Sequence, residues 1–500
     1  MTKGVIATPH RLASEAGAQV LRDGGNAIDA AIAADAVLCV VYPHMTSIGG
    51  DLMAIIWPAG AAEPVGLVGA GRSGELATIG AVVSSGHPTM PERGPLTITV
   101  PGTVEGWGRM IERFGTFGLA PVLEPAVALA QDGYVITPSL SEALKGAAPM
   151  LAQEPAAFAL YPPMEGGMLL RNPDLASVLR DTGRNGINGF YRGDIGAAIA
   201  AAIKKRGGFV TAKDLAMHHS QWVEPLSVGY RDVTVYELPP PTQGLTALAM
   251  LARLDRLPRE RMLPGPQFAT MFKAVRDACY PLRDRFITDP DFATAPLEPF
   301  LDPAHAGTGG DRGRDGGDTV YLCAADEHGN LVSLIQSVSY DFGSGIVAET
   351  TGTVLQNRGC YFKLDPNHVN RLEPRKRTMH TLIPALATRD GRPWAIFGSM
   401  GGDGQPQLQT QVLINLVDHG IDPQEAVGRP RIRVQAGGEA TSVEADYPSA
   451  AEMARNSRDV VLMPAGHHTL GHAHAIVIDG PARWRAGADP RSDGSVVTVD

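Results

Sequence analysis

Two runs, "TVYLCAAD" (Thr319–Asp326) and "NLVSLIQSV" (Asn330–Val338), constrain the fold more than any other part of the chain. Both are rich in apolar and β-branched residues, and "DEHGN" joins them. Asp326 suits the first position of a type I turn, and Gly329 suits the left-handed position after it. That combination predicts a three-residue hairpin loop with a G1 bulge. In this register Asp326 pairs with Asn330, and Thr319 falls opposite Ser337. Cross-strand neighbours on one face stand about 5 Å apart at Cβ, so two hydroxyls are expected to meet where the hairpin begins.

The segment before it is the opposite in character. "PAHAGTGGDRGRDGGD" (303–318) is Gly-rich and polar, the composition of a flexible linker. A threonine hydroxyl is a weak nucleophile and needs a base beside it. A free α-amine titrates near roughly 7.7–8.0 and can be that base. Cutting the Asp318–Thr319 bond would give one residue both roles, with Ser337 placed to hydrogen-bond the new amine. On this segment alone, an ordinary hairpin after an ordinary loop is the better explanation, because threonine is common in strands. The stretch "WAIFGSMGGDGQPQLQTQVLINLV" shifts the balance. It reads as strand, glycine turn and helix, and the N–H groups of Gly401 and Gly402 there suit an oxyanion hole.

The remainder reads as a large soluble protein. The 500 residues imply two to four domains or one large layered unit, and 44% hydrophobic with 19% charged residues is an ordinary globular balance. "ASEAGAQVLRD" and "AIDAAIAADAVLCVV" predict two helices, the second N-capped by Asn26 and apolar nearly all round, which argues for burial in a large core. "DLMAIIWPAG" and "PVGLVGAG" predict two short buried strands. "VLEPAVALAQDGY" and "IGAAIAAAIKKRGG" predict amphipathic helices with glycine stops.

A net charge of −10, with no basic run longer than "PRKR", argues against a nucleic-acid partner. Four cysteines without CxxC spacing read as buried thiols. The N-terminus lacks a secretory apolar region, and Asp35 interrupts the longest apolar run. The expectation is a cytoplasmic protein with no membrane association and neither cofactor nor metal. "GAGRSG" (Gly69–Gly74) fits a dinucleotide fingerprint but lacks the acidic residue that should follow. The histidines of "GHHTLGHAHA" lack zinc-site spacing, though one or two of them are placed to approach the site from the end of the chain. Gly-x-Ser-x-Gly occurs nowhere.

Several blocks, in order, resemble the γ-glutamyltransferase family of N-terminal-nucleophile hydrolases. They are "LASEAGAQVLRDGGNAIDAAIAADAVLCVVYPHMTSIGGD", "TVPGTVEGWGRMIERFGT", "DTVYLCAADEHGNLVSLIQSVSYDFGSGIV" and "GSMGGDGQPQLQTQVLINLVDHGIDPQEAVGRPRI". The resemblance implies an α+β fold, a four-layer αββα sandwich, autoprocessed between Asp318 and Thr319. It implies a heavy chain 1–318, carrying the linker 303–318, and a light chain 319–500, with room for a dimer of such heterodimers. Thr319 stands at the nucleophile, Gly401 and Gly402 at the oxyanion donors, and Ser337 where the family has a second threonine.

The γ-glutamyl-binding set departs from the family pattern. Arg72 in "GAGRSGELAT" stands off the register of the family arginine, Tyr361 in "QNRGCYF" stands near the family acid, and His380 and Thr381 replace a serine pair. Asn357, Arg358, Tyr361, His380, Thr381 and Arg72 are therefore the substrate-binding candidates, with Arg358, His380 and Arg72 facing a small carboxylate. The motifs are similar to the oxamate amidohydrolase branch, which implies hydrolysis of a small amide through an acyl-enzyme. The alternatives are a γ-glutamyltransferase or glutathione hydrolase, a glutaryl-cephalosporin acylase, and an unprocessed relative that only binds small molecules.

Overall fold

In the computed structural model, which describes residues 2–309 and 317–500, the predicted hairpin forms the centre of a seven-stranded sheet. The first strand, Asp318–Asp326, is flanked by Gly4–Thr8 and by its hairpin partner Leu331–Ser339. The strands Asp51–Trp57, Val65–Gly69 and Gln221–Val223 extend the sheet beyond the partner, and Ser495–Val499 closes the other edge. Pairings are antiparallel throughout. The turn is as expected: the Asp326 N–H donates to Asn330 O at 3.1 Å, and Gly329 has φ +94°. Asp326 also accepts the Ala27 N–H at 2.9 Å, fastening the turn to the start of the helix Ala27–Val41. Asn26 caps that helix in a reciprocal box with Asp29, and every residue of the helix is buried.

A six-stranded sheet lies behind the first. Its order is Arg483–Ala488, Ala473–Gly480, Arg392–Ser399, Ala385–Arg389, Val233–Glu237 and Leu226–Tyr230. Strand alternation divides the side chains. Tyr321, Cys323, Ala325, Leu331 and Ile335 point between the sheets and pack with Leu386, Ile396 and Ile476. Val320, Leu322, Ala324, Val332 and Leu334 face an outer helical layer that includes Ala27–Val41 and Leu119–Asp132. On the far side, Val235, Ala387, Phe397 and Ala475 face Gly244–Leu254, Pro266–Phe286 and Gln405–Val417. The order of layers is helix, sheet, sheet, helix, the predicted αββα sandwich.

The length admitted several domains, but the strands do not sort that way. Segments before and after residue 318 share both sheets, so the two halves of the sequence build one body. "GAGRSG" follows the strand Val65–Gly69 in this antiparallel sheet, which is no βαβ unit and no dinucleotide fold. All four cysteines are buried. Among the described residues no helix is long and apolar enough to cross a membrane. The middle of the expected linker, 310–316, lies outside the described residues.

Candidate active site

Thr319 is 1% exposed at the head of the central strand. The predicted register holds from Leu331–Ala325 to Gln336–Val320, then shifts at a bulge, so that Asp318 pairs with Ser339. Thr319 and Ser337 lie within that irregularity, and the ladder predicted there is not formed. A bulge re-aims side chains. Here the Ser337 hydroxyl donates to the Asp318 carbonyl at 2.5 Å and accepts the Ser339 N–H at 2.7 Å. Ser337 thus reaches the carbonyl of the bond that precedes Thr319.

The glycine turn faces this point. Gly401 (φ +138°) and Gly402 (φ +52°) follow the strand Arg392–Ser399. A 3₁₀ turn, Gly402–Gly404, leads into the helix Gln405–Val417, so the glycines precede the helix by one tight turn. Gly317, at φ +119°, packs on Gly402 so closely that a Cβ there would stand 2.7 Å from Gly402 Cα. The backbone before Thr319 therefore runs directly over the turn. Between them opens a cavity of about 490 Å³ whose lining includes Arg93, Asp318, Tyr340, Gly401, Arg433 and His468. One histidine of the "GHHTLGHAHA" stretch does reach the site. Burial pushes the Asp318 carboxyl up to about 7; the nearby Asp341 carboxylate adds to this and Arg93 opposes it.

The substrate-binding candidates divide. Arg358 is buried and donates from Nη1 to Thr381 Oγ1 at 2.9 Å, with its guanidinium 5.5 Å from the centre of the buried Tyr361 ring. Its Nε and Nη2 find no acceptor and no carboxylate among the described residues. Gln243 Nε2 donates to both Thr381 O (2.9 Å) and Gly402 O (3.0 Å), tying the Arg358–Thr381 pair to the glycine turn.

The other three are otherwise engaged. Asn357 spends its amide on the backbone, accepting Tyr340 N at 3.1 Å and donating to Glu92 O at 2.8 Å. Arg72 does not face this cavity. Asp289 (2.6 Å) and Asp291 hold it, it donates to Arg375 O at 2.9 Å, and it lines a separate cavity of about 270 Å³. His380 does not supply a cation. Burial first, and Arg358 next, hold its pKa down to about 4. Its Nδ1 accepts Leu382 N at 3.3 Å, so Nε2 carries the proton and donates to Asp51 Oδ2 at 3.0 Å.

Asp51 was missed in the sequence. Nothing marks a lone acid in "GGD", because its partners His380 and Gln356 lie about three hundred residues away.

A hydroxyl residue heading a central strand of an αββα sandwich, opposite a glycine turn, defines an N-terminal-nucleophile hydrolase. The family model for gamma-glutamyltranspeptidase matches residues 13–499, and the chain belongs to that family. It is 36% identical to the glutathione hydrolase-like YwrD proenzyme of Bacillus subtilis (strain 168), covering 100% of this chain and 99% of that one. It is also 36% identical to the oxamate amidohydrolase proenzyme of Klebsiella pneumoniae subsp. pneumoniae, covering 99% and 98%. Among solved structures, cephalosporin acylase from Bacillus halodurans superposes with a TM-score of 0.91 at 34% identity, covering 99% of this chain and 96% of that one.

Proposed function

We propose that the chain cuts itself between Asp318 and Thr319 and then hydrolyses a small, carboxylate-bearing amide of the oxamate kind. Its family makes it an amidohydrolase with an N-terminal nucleophile; the cut site, the residue roles and the substrate are the proposal. In maturation the Thr319 hydroxyl attacks the Asp318 carbonyl, and the acyl group moves from nitrogen to oxygen. Water cleaves the resulting ester, leaving a carboxylate on Asp318 and a free amine on Thr319. The observation that carries this reading is the Ser337 hydroxyl, 2.5 Å from the Asp318 carbonyl oxygen, where it polarises the bond to be cut.

In turnover, the Thr319 hydroxyl attacks the substrate amide while its own amine takes the proton. The Gly401 and Gly402 N–H groups hold the oxyanion, ammonia or an amine departs, and water releases the acid. Arg358 binds the substrate carboxylate with its two unpartnered N–H groups. A buried guanidinium without an acidic partner is costly unless an anion completes it. Because segments 1–318 and 319–500 share both sheets, they stay together after the cut.

A larger acyl amide, as a cephalosporin acylase would take, is the second reading. It is favoured by the 490 Å³ cavity, which is roomy for oxamate. The test is a panel of oxamate, γ-glutamyl anilide and glutaryl-cephalosporin, with and without a dipeptide acceptor, plus intact mass of the protein. Two chains and ammonia from oxamate are expected. Strong γ-glutamyl turnover, or an active single chain, would overturn the reading.

A further inference from the structure

Asp51 heads the strand Asp51–Trp57 and pairs with Ser337. It is completely buried. Oδ1 accepts the Gly71 N–H and Gln356 Nε2, each at 3.0 Å, and Oδ2 accepts His380 Nε2 at 3.0 Å. Three donors converge on it and it donates to none, which is how an ionised carboxylate is held. The residues that alternate with it, Met53, Ile55 and Trp57, face the space between the sheets. Tyr321 and Ile335, which continue the faces of Thr319 and Ser337, point there too. Ser337 pairs with Asp51 on one side and reaches the Asp318 carbonyl on the other, so Thr319, inside the bulge, lies two strands from Asp51, about 10 Å away at about 5 Å per cross-strand step.

We propose that Asp51 is a positioning residue whose buried charge stabilises the ammonium form of the Thr319 α-amine during attack. This rests on the reading of Thr319 as a processed nucleophile. When the Thr319 oxygen bonds to the substrate carbon, its proton passes to the amine and the carbonyl electrons become the oxyanion. A neutral pair becomes a cation and an anion. The glycine N–H groups meet the anion, and Asp51 supplies the fixed negative charge on the side of the cation.

Other charges surround both groups. His380 contacts Asp51 directly, Arg358 acts on that histidine, and Glu105, Tyr191 and His218 interact with the cluster at longer range. Near the amine lie Asp318, Asp341, Arg93, Arg433 and His468 on the cavity wall. All of these remain in Asp51→Asn, so the substitution isolates one charge. At an effective dielectric near 20, a unit charge about 10 Å away moves a titration by about one pH unit.

The experiment compares wild type, Asp51→Asn and Gln356→Leu after intact mass has shown each to be cut. The readout is the pH dependence of kcat/KM for oxamate, or of Thr319 labelling by phenylmethanesulfonyl fluoride. Asp51→Asn should lower the acid limb by about one unit and the plateau rate by about tenfold. Gln356→Leu removes one donor but no charge, and should leave the acid limb in place. If Asp51→Asn stays uncut, the same substitution is read in a chain whose residues 315–318 are replaced by a factor Xa site. An unmoved acid limb in cut Asp51→Asn, or an equal shift in Gln356→Leu, overturns the proposal. A wild type that is active but never cut overturns the underlying reading instead.

Discussion

Replacing Ser337 by alanine tests the site at its most informative contact. The hydroxyl makes two bonds at once, to the Asp318 carbonyl (2.5 Å) and from the Ser339 N–H (2.7 Å). The first bond strengthens as the carbonyl becomes an oxyanion during self-cleavage. Losing it should slow the cut by about 10–100-fold, or about 1.4–2.7 kcal/mol. The second bond is structural. Without it a buried N–H is unsatisfied, at a cost to stability of about 1–3 kcal/mol. The two effects separate experimentally. The cleavage rate is followed by intact mass in Ser337→Ala, and stability by denaturant unfolding in a Thr319→Ala background that cannot cut. Ser337→Thr keeps the hydroxyl and should restore most of the rate. If Ser337→Ala matured as fast as wild type, the bond would play no part in maturation.

Three further outcomes follow from the geometry. Thr319→Ala should give one chain and no turnover, read by gel and by ammonia release; a two-band gel would refute the assignment. Arg358→Gln should raise KM for oxamate by about 10–100-fold while changing kcat less, since a charge-assisted contact is worth about 1.5–3 kcal/mol. Asp318 contributes to the pH dependence of the uncut precursor. Its carboxyl is raised to about 7, so the fold resists ionising it, and stability falls as pH rises from about 4 to about 7. Asp318→Asn in the Thr319→Ala background should therefore stabilise the precursor at pH 7.5, by up to about 4 kcal/mol, and have no effect below about pH 4.

The hairpin was legible because its determinants are local. Turn chemistry at Asp326 and Gly329 fixes the register, and alternation carries it to Val320 and Gln336. The bulge beyond was not legible, since nothing in "QSVS" marks it. It forms next to the place where Gly317 packs on Gly402, a contact between segments far apart in the chain. Charges failed for the same reason. Arg72 looked like a carboxylate ligand by its place in a motif, but Asp289, 217 residues on, neutralises it. In sequence His380 reads as a cation, but in the fold Asp51 and the Leu382 N–H occupy its two ring nitrogens. Arg358 looked no different from these two in sequence, and only the fold left it without a carboxylate.

That isolation can be weighed. A buried cation whose Nε and Nη2 meet no acceptor among the described groups costs the fold stability. Replacing a buried charge with a well-packed apolar side chain of similar volume is often stabilising, by about 1–4 kcal/mol. Arg358→Met gives up one bond to Thr381 (2.9 Å), worth about 1 kcal/mol, and keeps an apolar contact with Tyr361. The folded protein should therefore be as stable as wild type or more so, while binding of a carboxylate-bearing amide weakens sharply. Unfolding in denaturant and KM for oxamate read the two sides separately. A guanidinium that served only the fold would behave the opposite way: Arg358→Met would lose stability and leave KM unchanged, and Arg358 would then be no substrate ligand.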